Sequence, residues 1–332
     1  MHIYQKSVDS GAILCTVADY VLLYTLICVK AKQFGVRITS LSLMINHFHI
    51  LASFAAKRAL ESFMISVTSV FARKYNKKYG LSGRLFAKPY GSAPKVRPSK
   101  IADSMIYVAA NGLNKLAAQK AEMYRWNFLK YAESDHPFSE EFDPLKASKD
   151  MLTLVKRVNQ MFESDRYIDY KLFDSKAFNK LSEEERKQLV DIIIAKYNVI
   201  DYSATLQMFG NLEDAFRMFS MASGSEYDIC DDTSREDYKH YYKMIKVAES
   251  EGYDLRSTRH VGVGDDGNQM DAELAERLCR RFRMEVGASV HEIGMFLHIP
   301  ESTLFRAGVG AIKECTTGSR GHSSLAGIRC RP

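Results

Sequence analysis

The chain has 332 residues, 46% hydrophobic and 26% charged, a length and balance that bury at least one core and fit two domains, and that exclude a disordered or collagen-like chain. Its six cysteines (Cys15, Cys28, Cys230, Cys279, Cys315 and Cys330) lie far apart; with no CxxC pair and no secretory leader, they point to reduced thiols in a cytoplasmic setting and argue against a zinc knuckle. The net charge of +6 is unevenly placed: residues 1–145 hold 19 Lys and Arg against 10 Asp and Glu, and the remainder holds 27 against 30.

In chain order, His2–Val8 reads as a short strand. Thr16 then offers an N-cap for an apolar helix running to about Gln33, with Gly35 as its stop. The apolar run Ile13–Val29 carries Asp19 and falls short of the roughly 20 apolar residues a bilayer span needs, so it is expected to be a buried helix and no membrane contact is expected. Thr39–Leu51 reads as one strand that places Leu41, Leu43, Ile45, His47, His49 and Leu51 on one face. A helix is expected from Ala59 to about Tyr79, then a loop holding Pro89, Pro94 and Pro98, then a helix near Ile101 capped by Ser99.

Between Arg73 and Lys100 stand nine basic residues and no acid: Arg73, Lys74, Lys77, Lys78, Arg84, Lys88, Lys95, Arg97 and Lys100. Phe71, Tyr75, Tyr79, Phe86 and Tyr90 are interleaved with them. Cations that neutralise phosphates and rings that stack on bases suit a nucleic acid; the alternative is a solvated basic face whose aromatics belong to the core.

After Trp126 the acidic stretch Glu133–Asp143 looks like a connector, and residues 146 to about 220 are helical in pattern, with Ser182-Glu-Glu-Glu resembling a helix start. Turn-rich breaks follow at Ser223–Asp232 and Gly262–Gly267, and the last helical group begins near Met270. Within Ala288–Ala307, Val290, Ile293 and Leu297 share a helical face, His298-Ile299-Pro300 breaks it, and Glu301 and Ser302 open a second helix with Leu304 inside. That layout resembles a helix-turn-helix, with Thr303, Phe305 and Arg306 as candidates for contact with duplex DNA; a helical hairpin used for packing is the alternative. The expected plan is a first domain at 1–135, a connector and helical region at 136–235, a helical DNA-binding region at 236–306, and a flexible basic tail at 307–332.

The sharpest local signal is Asn46-His47-Phe48-His49-Ile50. Two imidazoles one residue apart on a strand project from one face and make a pair of ligands for a divalent cation, although two half-buried structural histidines would leave the same trace. On the helix after Ser99, Tyr107 and Asn111 are one turn apart. Asn111 can offer a carbonyl oxygen to the same metal, and Tyr107 would stand beside it, where a phenol becomes useful as a nucleophile toward a polarised phosphate. The bland reading of Tyr107 is a packing residue.

The ordered series LMINHFHIL, FARKYNKKYG, SGRLFAKPYGSAPK, YVAANGLNKLA and YRWNFLKY resembles the HUH single-tyrosine transposases, and within them the REP-associated tyrosine transposases. In that family the strand usually reads Met-Pro-Asn-His-hydrophobic-His, which falls on Met44–His49 with Ile45 in the proline's place. The nucleophilic tyrosine four residues before an Asn-Pro falls on Tyr107 and Asn111, with Gly112 where proline is usual, a change that would let the helix end more loosely. The resemblance implies an α+β fold with a ferredoxin-like core, a central antiparallel sheet carrying both histidines, and a mostly helical C-terminal region. It implies Mg²⁺ or Mn²⁺ at His47, His49 and Asn111, single-stranded or hairpin DNA as substrate, a 5′-phosphotyrosine intermediate on Tyr107, and a monomer or homodimer associated with the nucleoid. Two other readings stay open: a protein that holds structured nucleic acid without cutting it, and a helix-turn-helix transcription regulator.

Overall fold

A computed structural model describes residues 1–87, 89–114, 120–221, 235–253, 272–297 and 304. Strand β1 (His2–Lys6) leads into helix α1 (Val17–Phe34). The Thr16 hydroxyl accepts from the Asp19 N–H while the Asp19 carboxylate accepts from the Thr16 N–H, and Gly35 closes the helix at φ 64°, where a side chain would be strained. Strands β2 (Arg37–Met44) and β3 (His47–Ser53), helix α2 (Lys57–Tyr79) and strand β4 (Gly91–Ala93) follow.

The sheet is antiparallel with order β2-β3-β1-β4, and with α1 and α2 in their places the chain traces β-α-β-β-α-β, the ferredoxin-like arrangement. The expected single strand at 39–51 is instead a hairpin: the chain reverses at Ile45 and Asn46, pairing Met44 with His47 and Ser42 with His49. The alternation therefore slips across the turn. His47 and His49 share a face with Ser42 and Met44, not with Leu41, Leu43 and Ile45, because directly opposed residues point the same way.

The opposite face, with Ile3, Leu41, Leu43, Phe48 and Ile50, joins α1 and α2 in the main core. Helix α3 (Pro98–Asn114) packs on β2 and β3 and begins at Pro98, one residue ahead of the expected Ser99 cap, since proline needs no N–H in a first turn. It also runs through Gly112 to Asn114, and residues 115–119 beyond it lie outside the described residues.

Helices α4 (Lys149–Glu163), α5 (Tyr170–Phe173), α6 (Lys176–Lys180) and α7 (Glu183–Tyr197) contribute Leu154, Phe173, Phe178, Ile193 and Ile194 to the same cluster that holds Val21, Leu22 and Leu23 of α1. The core thus runs across the boundary expected near 135, because α1 is apolar all round and its far side needs cover. Ser182 does cap α7, reciprocally with Glu185. Helices α8 (Ser203–Phe209) and α9 (Leu212–Met221) pack near α3, where Phe216 and Phe219 meet Ala109 and Leu129.

A further cluster is built by α10 (Arg235–Ser250), α11 (Ala272–Arg281), the π-helical turn Phe282–Val286 and α12 (Val290–Leu297), and Ala12 and Ile45 of the sheet domain belong to it. In α12 Ile293 and Leu297 are buried, and Val290 packs against the same cluster. Leu304 is buried too, but the rest of the expected second helix, with Thr303, Phe305 and Arg306, lies outside the described residues, as do both turn-rich breaks and the tail from 307. Among the described residues no helix is long and apolar enough to cross a membrane.

Candidate active site

A sheet face covered by a helix is ordinarily apolar, since burying polar groups is costly unless they are satisfied. Beneath α3 the sheet instead presents His2, Ser42, His47 and His49, all fully buried. Tyr107 and Asn111 are buried on α3 itself. The Tyr107 ring stands edge-on to His49 with centroids 5.3 Å apart, and 5.7 Å from His2. The His47 and His49 rings are 4.8 Å apart and perpendicular.

Each histidine is oriented through Nδ1. His47 Nδ1 lies 2.9 Å from Asn46 Oδ1, and the Asn46 amide nitrogen donates to the Ser10 carbonyl at 2.7 Å. Only the –NH₂ of a carboxamide can donate to a carbonyl, so the oxygen must face the ring and His47 must carry its proton on Nδ1. Nε2 is then the nitrogen that holds the lone pair, which suits a metal ligand. His49 Nδ1 lies 3.1 Å from Nε2 of His2. Neither Asn46 nor His2 figured among the sites expected from sequence; Asn46 stood inside the motif, whereas His2 is 47 residues from its partner.

Asn111 has a buried amide nitrogen without a hydrogen-bond partner. A carboxamide turned about its Cγ bond would place oxygen there instead, an acceptor with the character of a hard-cation ligand. No group of three or more His, Cys, Asp or Glu among the described residues is arranged around a metal position. Two imidazoles and a carboxamide would leave several positions to water and substrate, a donor set that fits Mg²⁺ or Mn²⁺.

The tyrosines of the basic segment are poor competitors for Tyr107. Burial pushes the Tyr75 and Tyr79 hydroxyls well above the usual phenol range, and Tyr79 donates to Asp19 at 2.9 Å. Burial also raises Tyr90, with Glu61 adding to it.

The segment after α3 fixes that helix in place. The Tyr124 hydroxyl donates to the Leu43 carbonyl at 2.7 Å, and its ring lies against the bare Cα of Gly112, where a Cβ would sit 2.5 Å from ring carbons. The Asn127 amide donates to the Ala109 and Ala121 carbonyls, while Trp126 and Phe128 stack on Tyr20 and Tyr24 of α1.

Much of the expected nucleic-acid surface divides differently. Phe71, Tyr75, Tyr79 and Phe86 are core residues and offer no face to a base. Lys74 pairs with Asp169, and Lys78 pairs with Asp174 at 2.6 Å. Lys95 is buried near the N-terminal amine. Arg73, Lys77, Arg84, Arg97 and Lys100 are exposed, and Lys88 lies outside the described residues, as do Thr303 and Arg306.

Residues 15–111 match the family described as "Transposase IS200 like", a span that holds His47, His49, Tyr107 and Asn111 and omits β1. No curated protein and no solved structure matches the chain.

Proposed function

We propose, from the match of residues 15–111 to the IS200-like transposase family, that the chain processes DNA and is a metal-dependent nicking and joining enzyme for single-stranded, hairpin-flanked DNA. The observation that carries the proposal is the packing of Tyr107 against His49 on a buried polar sheet face. His47, His49 and Asn111 would hold Mg²⁺ or Mn²⁺, which when bound would polarise the scissile phosphodiester. Asn46 keeps His47 in the tautomer that presents Nε2, and α3 carries Tyr107 to the edge of His49. The Tyr107 oxygen forms a bond to phosphorus as it gives up its proton. The P–O3′ bond breaks, the departing O3′ takes up a proton, and a 5′-phosphotyrosine and a free 3′-OH result. Attack by another 3′-OH reverses these steps and joins the strands. The exposed Arg73, Lys77, Arg84 and Arg97 would contact phosphates outside the reacting centre.

The test uses the full chain with a labelled hairpin-bearing single strand and Mn²⁺. Wild-type protein is expected to cleave and to form an adduct that resists SDS and heat. Tyr107→Phe should lose both while still binding DNA, and His47→Ala with His49→Ala should lose cleavage. An adduct mapped to another tyrosine, or cleavage by the double-histidine variant, would overturn the assignment. Binding without any cleavage by wild-type protein would instead favour a holder of structured nucleic acid.

A further inference from the structure

We infer that His2 is the positioning residue of His49, fixing its tautomer and ring orientation as Asn46 does for His47; the inference rests on the metal reading of the site proposed above. Strand β1 pairs Tyr4 with His49 and His2 with Leu51, so His2 is the diagonal neighbour of His49 on the α3 side of the sheet. It is fully buried, its Nε2 lies 3.1 Å from His49 Nδ1, and the ring centroids are 5.2 Å apart. The strand end is held in register from outside the site, because Met1 exchanges backbone hydrogen bonds with Ala52 at 2.9 and 3.0 Å.

If His49 is to present Nε2 to a cation, its proton must sit on Nδ1. The 3.1 Å contact is then His49 Nδ1–H donating to Nε2 of His2, and His2 carries its own proton on Nδ1. Such an outer partner sets which lone pair a ligand offers and stops the ring from turning about Cβ–Cγ. His2 lies outside the span 15–111 that matches the family, on the first strand of the sheet.

Two variants of the full chain separate this role from simple packing. His2→Phe keeps a ring against Tyr107 and His49 but removes the acceptor; His2→Gln supplies an amide oxygen that can accept from Nδ1–H. Mn²⁺ affinity, measured by titration calorimetry, is expected to fall about 10–100-fold in His2→Phe and to return to within about fivefold of wild type in His2→Gln. Nitrogen-15 shifts of the metal-free protein should report His49 protonated on Nδ1 in wild type and in His2→Gln, and moved toward the Nε2–H form in His2→Phe. Wild-type affinity with an unchanged tautomer in His2→Phe would overturn the inference and leave the metal site standing. An affinity in His2→Gln as low as in His2→Phe would also overturn it, since an acceptor alone would then not suffice. Absence of Mn²⁺ binding by wild-type protein would overturn the metal reading, and this inference with it.

Discussion

His47 is held in one tautomer by an asparagine outside the proposed ligand set. The chain from the Ser10 carbonyl through Asn46 to His47 Nδ1 leaves one tautomer available. Asn46→Leu, close in size and without either polar group, is expected to lower the cleavage rate about 10–100-fold, with DNA binding retained; single-turnover assays at saturating Mn²⁺ check it. Gly112 has a comparable role on the helix. Alanine there would gain about 0.5–1 kcal/mol of helix propensity, but its Cβ would press on the Tyr124 ring that ties α3 to β2. Overpacking of this kind costs about 1–3 kcal/mol, so Gly112→Ala should destabilise the protein and lower its Tm. A raised Tm would mean that Tyr124 yields without cost.

Among the elements, α2 carries three jobs on three faces. Phe71, Tyr75 and Tyr79 recur every four residues and face the core. Lys74 and Lys78, also four apart, meet Asp169 and Asp174 near α5, and Arg73 and Lys77 face solvent. The two basic pairs should therefore answer different assays. Arg73→Gln with Lys77→Gln is expected to flatten the salt dependence of DNA binding by up to about one unit of log-log slope per lost phosphate contact, with Tm unchanged. Lys74→Gln with Lys78→Gln should lower Tm and leave the slope nearly intact, because those charges are already neutralised. Equal slopes for the two double variants would show that the ion pairs open when DNA binds.

For the whole molecule, continuity of the core decides what can be removed. Truncation after residue 145 would strip α4–α7 from Val21, Leu22 and Leu23, and the fragment is expected to show no cooperative thermal transition by circular dichroism. The two clusters can be followed by thiol chemistry. Burial pushes the Cys28 thiol, in the main core, and the Cys279 thiol, in the C-terminal cluster, up to about 12. At pH 8 neither should react with iodoacetamide in the native protein, since the thiolate is the nucleophile. Cys279 labelling in mild urea while Cys28 stays protected would show the C-terminal cluster opening first, and simultaneous labelling would show one cooperative unit. That cluster includes Ile45, beside Asn46 and His47, so its opening would uncover the turn of the hairpin that carries His47 and His49.

The caps at Thr16 and Ser182, the stop at Gly35, the helical period of α1 and α2, and the ordered motifs around His47, His49, Tyr107 and Asn111 are local in sequence, so they could be read without a structure. The ferredoxin-like core followed from the resemblance those motifs carry. Other features depend on contacts between distant parts of the chain. The hairpin at Ile45 and Asn46 looked like one strand because a two-residue turn interrupts the alternation too briefly to register. The close approach of Tyr124 to Gly112 was not legible, because the residue that fills the space above the glycine is named only by packing. Phe71, Tyr75, Tyr79 and Phe86 of the basic segment became core, and Lys74 and Lys78 found carboxylates about 95 residues away. His2 joined His49 through strand pairing across 47 residues. Sequence determined which chemical groups the protein carries and the local elements that hold them; tertiary structure alone decided which of those groups meet, because register and burial are set by the whole core.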